Sequence, residues 1–144
     1  MAKPSFQKLH VYRLSEKLAD EVWSIVRNWD VFARNTFGGQ LVRAADSVGA
    51  NIAEGCGRGT YQDNRRFVRI ARGSLNEAMH FLRRGYTRLL IRKEQVEALR
   101  PLLDELSPRL NAYLNSIGPQ GPMSQSPTDN DQLAPDNEQL TTDN

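Results

Sequence analysis

Between Val11 and Phe32 the apolar residues Val11, Leu14, Leu18, Val22, Ile25, Trp29 and Phe32 recur at steps of three and four, with Arg13, Lys17, Asp20 and Arg27 between them. A helix of 3.6 residues per turn gathers such positions onto one stripe, so the segment reads as one amphipathic helix with a single buried face. The two glycines of Asn35-Thr-Phe-Gly-Gly39 then break the pattern. Leu41, Ala44, Ala45, Val48 and Ile52 mark a second helix over residues 40–54, with Gly55 placed as its C-terminal cap.

A third helix begins near Thr60, whose hydroxyl suits an N-cap, with Asp63 as an imperfect capping-box partner. Its apolar face collects Phe67, Val68, Ile70, Ala71, Leu75, Ala78, Met79, Leu82, Tyr86 and Leu89. Gly73 and Gly85 each cost about 1 kcal/mol relative to Ala inside a helix, which points to a close neighbour or to a bend near Gly85. A fourth helix over residues 94–117 faces inward with Val96, Leu99, Leu102, Leu103, Leu106, Leu110, Tyr113 and Leu114. Pro101 and Pro108 remove backbone donors within it, predicting a kinked or two-piece element. No segment sustains the period-two alternation of a strand. The fold class that follows is all-α, an up-and-down antiparallel four-helix bundle.

Charge divides the chain where the apolar period stops. Residues 1–118 carry 19 bases and 12 acids, a balance of +7, whereas residues 119–144 carry five acids and no base, a balance of −5. The second part is rich in Pro, Gln, Ser, Asp, Asn and Thr, with a loose seven-residue repeat over residues 129–142, and cannot bury enough surface to offset its ordering entropy. We therefore expect a bundle over residues 1–118 and a disordered acidic low-complexity tail over residues 119–144. A lone cysteine, Cys56, excludes an intramolecular disulfide, and no Cys/His set could close a zinc site. The N-terminus lacks an apolar signal core, and no run of about 18 apolar residues occurs. These features predict a cytoplasmic protein without a membrane partner.

On a helical wheel Arg65, Arg69, Arg72, Asn76 and Arg83 share a narrow sector opposite the apolar face of the third helix, with Arg66 and Arg84 beside it. Residues 58–93 hold ten bases against Asp63 and Glu77, a net of +8. Guanidinium groups repeated along a face suit repeated phosphates, so these residues are candidate nucleic-acid contacts. The plainer alternative is a solvated face salt-bridged to neighbouring helices. Gly55-Cys-Gly-Arg-Gly59 follows a helix and lacks the Gly-Lys-Ser/Thr ending of a phosphate loop, so it reads as a glycine-capped turn, with Arg58 an additional anion contact.

Cys56 stands beside Arg58 with no histidine near it in sequence, which reads as a bystander thiol. His10 and His80 are solitary and suit surface or packing roles. Ser47, Asn51 and Glu54 line one flank of the second helix, where interhelical hydrogen bonds are the simple reading; a carboxylate-bridged metal site would need Glu-x-x-His pairs on facing helices, and no two helices both carry that motif. Trp23 falls off the main stripe and is a candidate for contact with another subunit. The small residues Ala44, Ala45, Ser47, Gly49 and Ala50 likewise suggest self-association. No catalytic, metal or cofactor-binding residue is expected, and hence no cofactor and no enzymatic activity.

The segments Gly39-Gln-Leu-Val-Arg-Ala-Ala-Asp-Ser-Val-Gly-Ala-Asn-Ile-Ala-Glu-Gly55 and Phe67-Val-Arg-Ile-Ala-Arg-Gly-Ser-Leu-Asn-Glu77 resemble the four-helix-bundle proteins encoded in intervening sequences of bacterial 23S ribosomal RNA genes, and the likeness extends over about residues 6–117. That resemblance implies a ring-like homopentamer. It also carries a similarity to the accessory variability protein of diversity-generating retroelements, which partners a reverse transcriptase and nucleic acid. The long acidic tail and the prolines of the fourth helix depart from the family pattern. The leading expectation is an oligomeric, non-enzymatic scaffold binding RNA or DNA through Arg58, Arg65, Arg66, Arg69, Arg72, Arg83 and Arg84. The alternative is an adaptor docking an acidic protein or a retroelement reverse transcriptase.

Overall fold

Helix α1 spans His10–Val26 in the computed structural model, which describes Phe6 and residues 9–119. It buries Val11, Leu14, Leu18, Val22 and Ile25, the expected stripe. The helix ends at Val26 and does not continue to Phe32 as the spacing predicts, because Asp30 caps a new helix: its carboxylate accepts from the Ala33 N–H at 2.9 Å. Trp29 is buried from the connecting turn, and Phe32 is 76% exposed.

The new helix opens as α2, Val31–Ala33, runs through a π-helical segment, Arg34–Gly38, and continues as α3, Gly39–Cys56. The break expected at Asn35–Gly39 is thus helical throughout, with αR dihedrals at Ala33, Arg34, Gly38 and Gly39. The glycine at 38 answers to packing: a Cβ there would lie 2.6 Å from Val26 Cγ1. In the π segment the Gly39 N–H reaches back to the Arg34 carbonyl. Thr36 Oγ1 donates to the Phe32 carbonyl at 2.7 Å and Gln40 Nε2 to the Thr36 carbonyl at 3.2 Å, side chains supplying donors where the regular ladder is interrupted.

Gly55, expected as the C-cap of this helix, lies inside it; α3 runs to Cys56 and Gly57 is the cap. At Gly55 a Cβ would meet Asn64 Oδ1 at 2.5 Å, the Asn64 carbonyl at 3.1 Å and Phe67 Cβ at 3.2 Å, so this glycine lets the next helix approach. Helix α4, Tyr61–Thr87, starts at Thr60, whose hydroxyl accepts from the Asp63 N–H at 3.0 Å. It is a single element through Gly73 and Gly85, and it buries Val68, Ala71, Leu75, Ala78 and Leu82. Ile70, Tyr86 and Leu89, expected on that face, are exposed. Leu89 takes a φ of 65°; its N–H donates to the Tyr86 carbonyl at 3.1 Å, and the Leu90 N–H donates to the Gly85 carbonyl at 2.9 Å. This is a Schellman ending with leucine where glycine is usual.

Helix α5, Lys93–Ser116, runs as one piece across Pro101 and Pro108, so the two-piece expectation does not hold. The four long helices pack in the cyclic order α1, α3, α4, α5, which sets α1 and α4 diagonally across a four-helix bundle. One core joins them, centred on Leu18, Leu41, Ile52, Leu75, Leu106 and Leu110. Ala44, Ala45 and Gly49 of α3 are buried inside this chain, with a Cβ at Gly49 meeting Ser15 Oγ at 2.7 Å. These small residues serve packing within the protomer. No helix among the described residues is long and apolar enough to cross a membrane. The expected tail over residues 119–144 lies outside the described residues but for its first position.

Candidate nucleic-acid interface

Helix α4 carries the arginines, but its neighbours divide them into three groups. At the α3–α4 turn, Arg58 and Arg66 flank the Phe67 ring at 5.0 and 4.5 Å, while Arg58 pairs with Glu54 at 3.1 Å and Arg66 with Asp63 at 3.8 Å. Such exposed pairs contribute little to stability, about 0–1 kcal/mol, and leave the cations at the surface.

Arg65 and Arg72 depart from the expectation that they face solvent. Arg65 Nη1 donates to the Ile117 carbonyl at 2.7 Å, and Arg72 Nη1 to Asn111 Oδ1 at 3.2 Å; both side chains are half-buried against α5. Ile117 is the C-cap of α5, so Arg65 also places a cation at the negative end of that helix. Arg69 lies between them on the same sector and is exposed.

Toward the C-terminal end of α4, Arg83 and Arg84 form no ion pair among the described residues, and the Arg88 guanidinium stands 5.0 Å over the Phe37 ring. Here α4 and the π segment enclose an open groove of about 590 Å³, lined by Phe32, Thr36, Phe37, Gln40, His80, Phe81, Arg84 and Arg88. Two of its lining rings, Phe37 and Phe81, meet edge-on at 5.5 Å, and Phe37 is backed by Trp29, which stacks on it at 5.8 Å. Among the described residues no acid lines it. Of the lining residues, the charge pattern of the sequence marks only Arg84 as a contact. Spacing alone places Phe32 on the core stripe and leaves His80 solitary, because the groove exists only once two distant segments are packed.

Acidic character gathers elsewhere. The Asp46 carboxyl on α3 is held above the usual carboxylate range by partial burial and by the charge of Asp20 on α1. The α1–α3 seam thus brings two like charges together, and α1 itself carries three acids against two bases, diagonal to the arginines of α4. His10 is paired with Glu105 at 2.8 Å and is not solitary in space; that hydrogen bond, with Arg109 adjacent, holds the Glu105 carboxyl below its ordinary value. Asn51 donates to the Ser47 carbonyl of its own helix at 2.8 Å, in place of the expected interhelical bond. Cys56 lies 3.5 Å from the Tyr113 hydroxyl, whose pKa is pushed up to about 12 by burial first and by the neighbouring thiol second. No group of three potential metal ligands occurs among the described residues. Trp23 is 58% exposed, in keeping with its position off the stripe.

Residues 7–112 match the family model of the 23S rRNA-intervening sequence protein. A solved structure from Bacteroides thetaiotaomicron, a protein with unknown function from the S23 ribosomal protein family, is similar with a TM-score of 0.65 and 22% identity. The match covers 74% of this chain and 99% of that one, and at this identity it speaks to the fold alone. No curated protein matches.

Proposed function

The chain belongs to the 23S rRNA-intervening sequence protein family, and from that premise we propose that it is a non-enzymatic cytoplasmic scaffold that binds RNA or DNA through the basic face of α4. The observation that carries this reading is the net charge of +8 over residues 58–93, mounted diagonally from α1. A field of one sign on one side steers a polyanion onto that side. Arg58, Arg66, Arg83 and Arg84 supply phosphate contacts, with Arg69 beside them; Arg65 and Arg72 chiefly brace α4 against α5. Self-association, as the homopentamer that the family resemblance implies, would repeat this face around a ring and let weak contacts act together.

Salt dependence tests it. With six to ten phosphates engaged, affinity for RNA or DNA falls about 10³–10⁵-fold between about 50 and 200 mM salt. The double substitution Arg66→Gln, Arg83→Gln lowers the slope by about 0.7–0.9 for each phosphate no longer neutralised, while Arg65→Gln changes stability more than slope. A flat salt profile overturns the reading. A second reading, an adaptor for an acidic protein such as a reverse transcriptase, is favoured by the exposed Trp23, Val31 and Leu89 and predicts salt-resistant affinity for one protein.

A further inference from the structure

The groove between the π segment and α4 combines features that a plain phosphate-binding face does not need. Phe32 stands at its edge with 76% of its surface exposed, although nothing in the helix requires an aromatic there. Helix α4 and its C-cap contribute Arg84, Arg88 and His80 to the lining, and no acid offsets them among the lining residues. Thr36 and Gln40 lie on the same wall as Phe32, and the Gln40 carboxamide oxygen accepts no hydrogen bond among the described residues. The volume, about 590 Å³, falls within the roughly 300–1,000 Å³ of small-molecule sites.

We propose that this groove holds one unstacked nucleotide of a single-stranded segment, its base against the Phe32 ring and its phosphate between Arg84 and Arg88. The proposal rests on the nucleic-acid reading above and narrows it to strands with unpaired bases. Charge complementarity selects the occupant: an aromatic face and an arginine pair without a carboxylate match a base with its phosphate, and stacking tolerates any base. A paired base in a duplex is already stacked on both faces and cannot enter. Phe32, Thr36 and Gln40 follow one another at four-residue steps through the π segment Arg34–Gly38 and contribute to the lining together with Phe37.

The test compares a labelled short single-stranded RNA with a duplex of the same sequence by fluorescence anisotropy, and adds a strand carrying 2-aminopurine, whose emission is quenched by stacking. Phe32→Ala weakens single-strand binding roughly 5- to 150-fold, the range for one base–aromatic stack, leaves duplex binding unchanged and abolishes the protein-dependent quench. Phe32→Tyr restores both. Unchanged single-strand affinity in a folded Phe32→Ala protein overturns the groove, while a salt slope still reduced by Arg66→Gln, Arg83→Gln leaves the broader reading in place. Wild-type protein that binds neither RNA removes both. A change in assembly mass on Phe32→Ala, read by light scattering, or loss of binding to polyglutamate with RNA binding intact, reassigns the rim to a protein contact and overturns the proposal.

Discussion

Replacing Gly55 and Gly73 separately by alanine makes the same chemical change in two helices and predicts opposite outcomes. Both positions are helical, so each alanine gains about 0.5–1 kcal/mol in backbone entropy. At Gly73 a Cβ meets nothing within 4 Å, and the gain stands alone. At Gly55 it meets Asn64 Oδ1 at 2.5 Å, the Asn64 carbonyl at 3.1 Å and Phe67 Cβ at 3.2 Å. The side-chain oxygen can rotate aside, but the carbonyl and the Cβ move only with α4 itself. Overpacking of this kind costs about 1–3 kcal/mol, which exceeds or cancels the propensity gain. The two variants should therefore differ by about 1–3 kcal/mol, with Gly73→Ala above wild type and Gly55→Ala at or below it. At about 2–8 °C per kcal/mol, the range over the domain sizes that bracket this one, thermal unfolding followed by circular dichroism resolves the difference. Equal stabilisation of both variants would refute the close approach of α3 and α4 at Gly55.

Leu89→Gly relieves an αL leucine that costs about 1–2 kcal/mol and adds a smaller unfolded-state entropy cost, so urea unfolding should show a net gain of about 0.5–1 kcal/mol; a loss would mean that the exposed leucine makes contacts. Asp46→Asn tests the like-charge pair at the α1–α3 seam. Because the folded-state pKa of Asp46 is raised above 3.8, the ionised form is the less favourable one in the fold, and wild type gains relative stability as pH falls through that raised value. The Asn variant should exceed wild type in thermal stability near neutral pH, and the difference should shrink as pH approaches 3.8; a difference independent of pH would count against the charge argument.

The four apolar stripes were legible because burial in a bundle follows the 3.6 period directly: Leu18, Val48, Leu75 and Leu106 are all buried where spacing places them. The boundary at Asp30 was not, since Trp29 and Phe32 continue the spacing of α1 although one is buried from a turn and the other is exposed. An Asp followed by Val-Phe-Ala was the available N-cap signal. Gly38 and Gly55 read as breakers because glycine's conformational freedom is visible in sequence, whereas the Val26 or Asn64 that crowds it comes from a different element. Prolines mislead in the other direction, as α5 passes through Pro101 and Pro108 with a buried row of Leu99, Leu106, Leu110 and Leu114 to hold it against the core.

The arginine stripe shows why periodicity locates a face without assigning its work. A wheel places Arg65, Arg69, Arg72 and Arg83 together because it contains only α4, yet α5 ends beside the first turns of α4 and leaves its Ile117 carbonyl there for Arg65. A partly buried carbonyl needs a donor, and a guanidinium that supplies one is no longer free to exchange its partner for a phosphate without cost. Further along α4 the neighbouring element presents Phe32, Thr36 and Gln40, which offer the arginines no carboxylate. The same residue type is thus a brace at one end and an available cation at the other, and the difference is set by what each adjacent helix brings within reach.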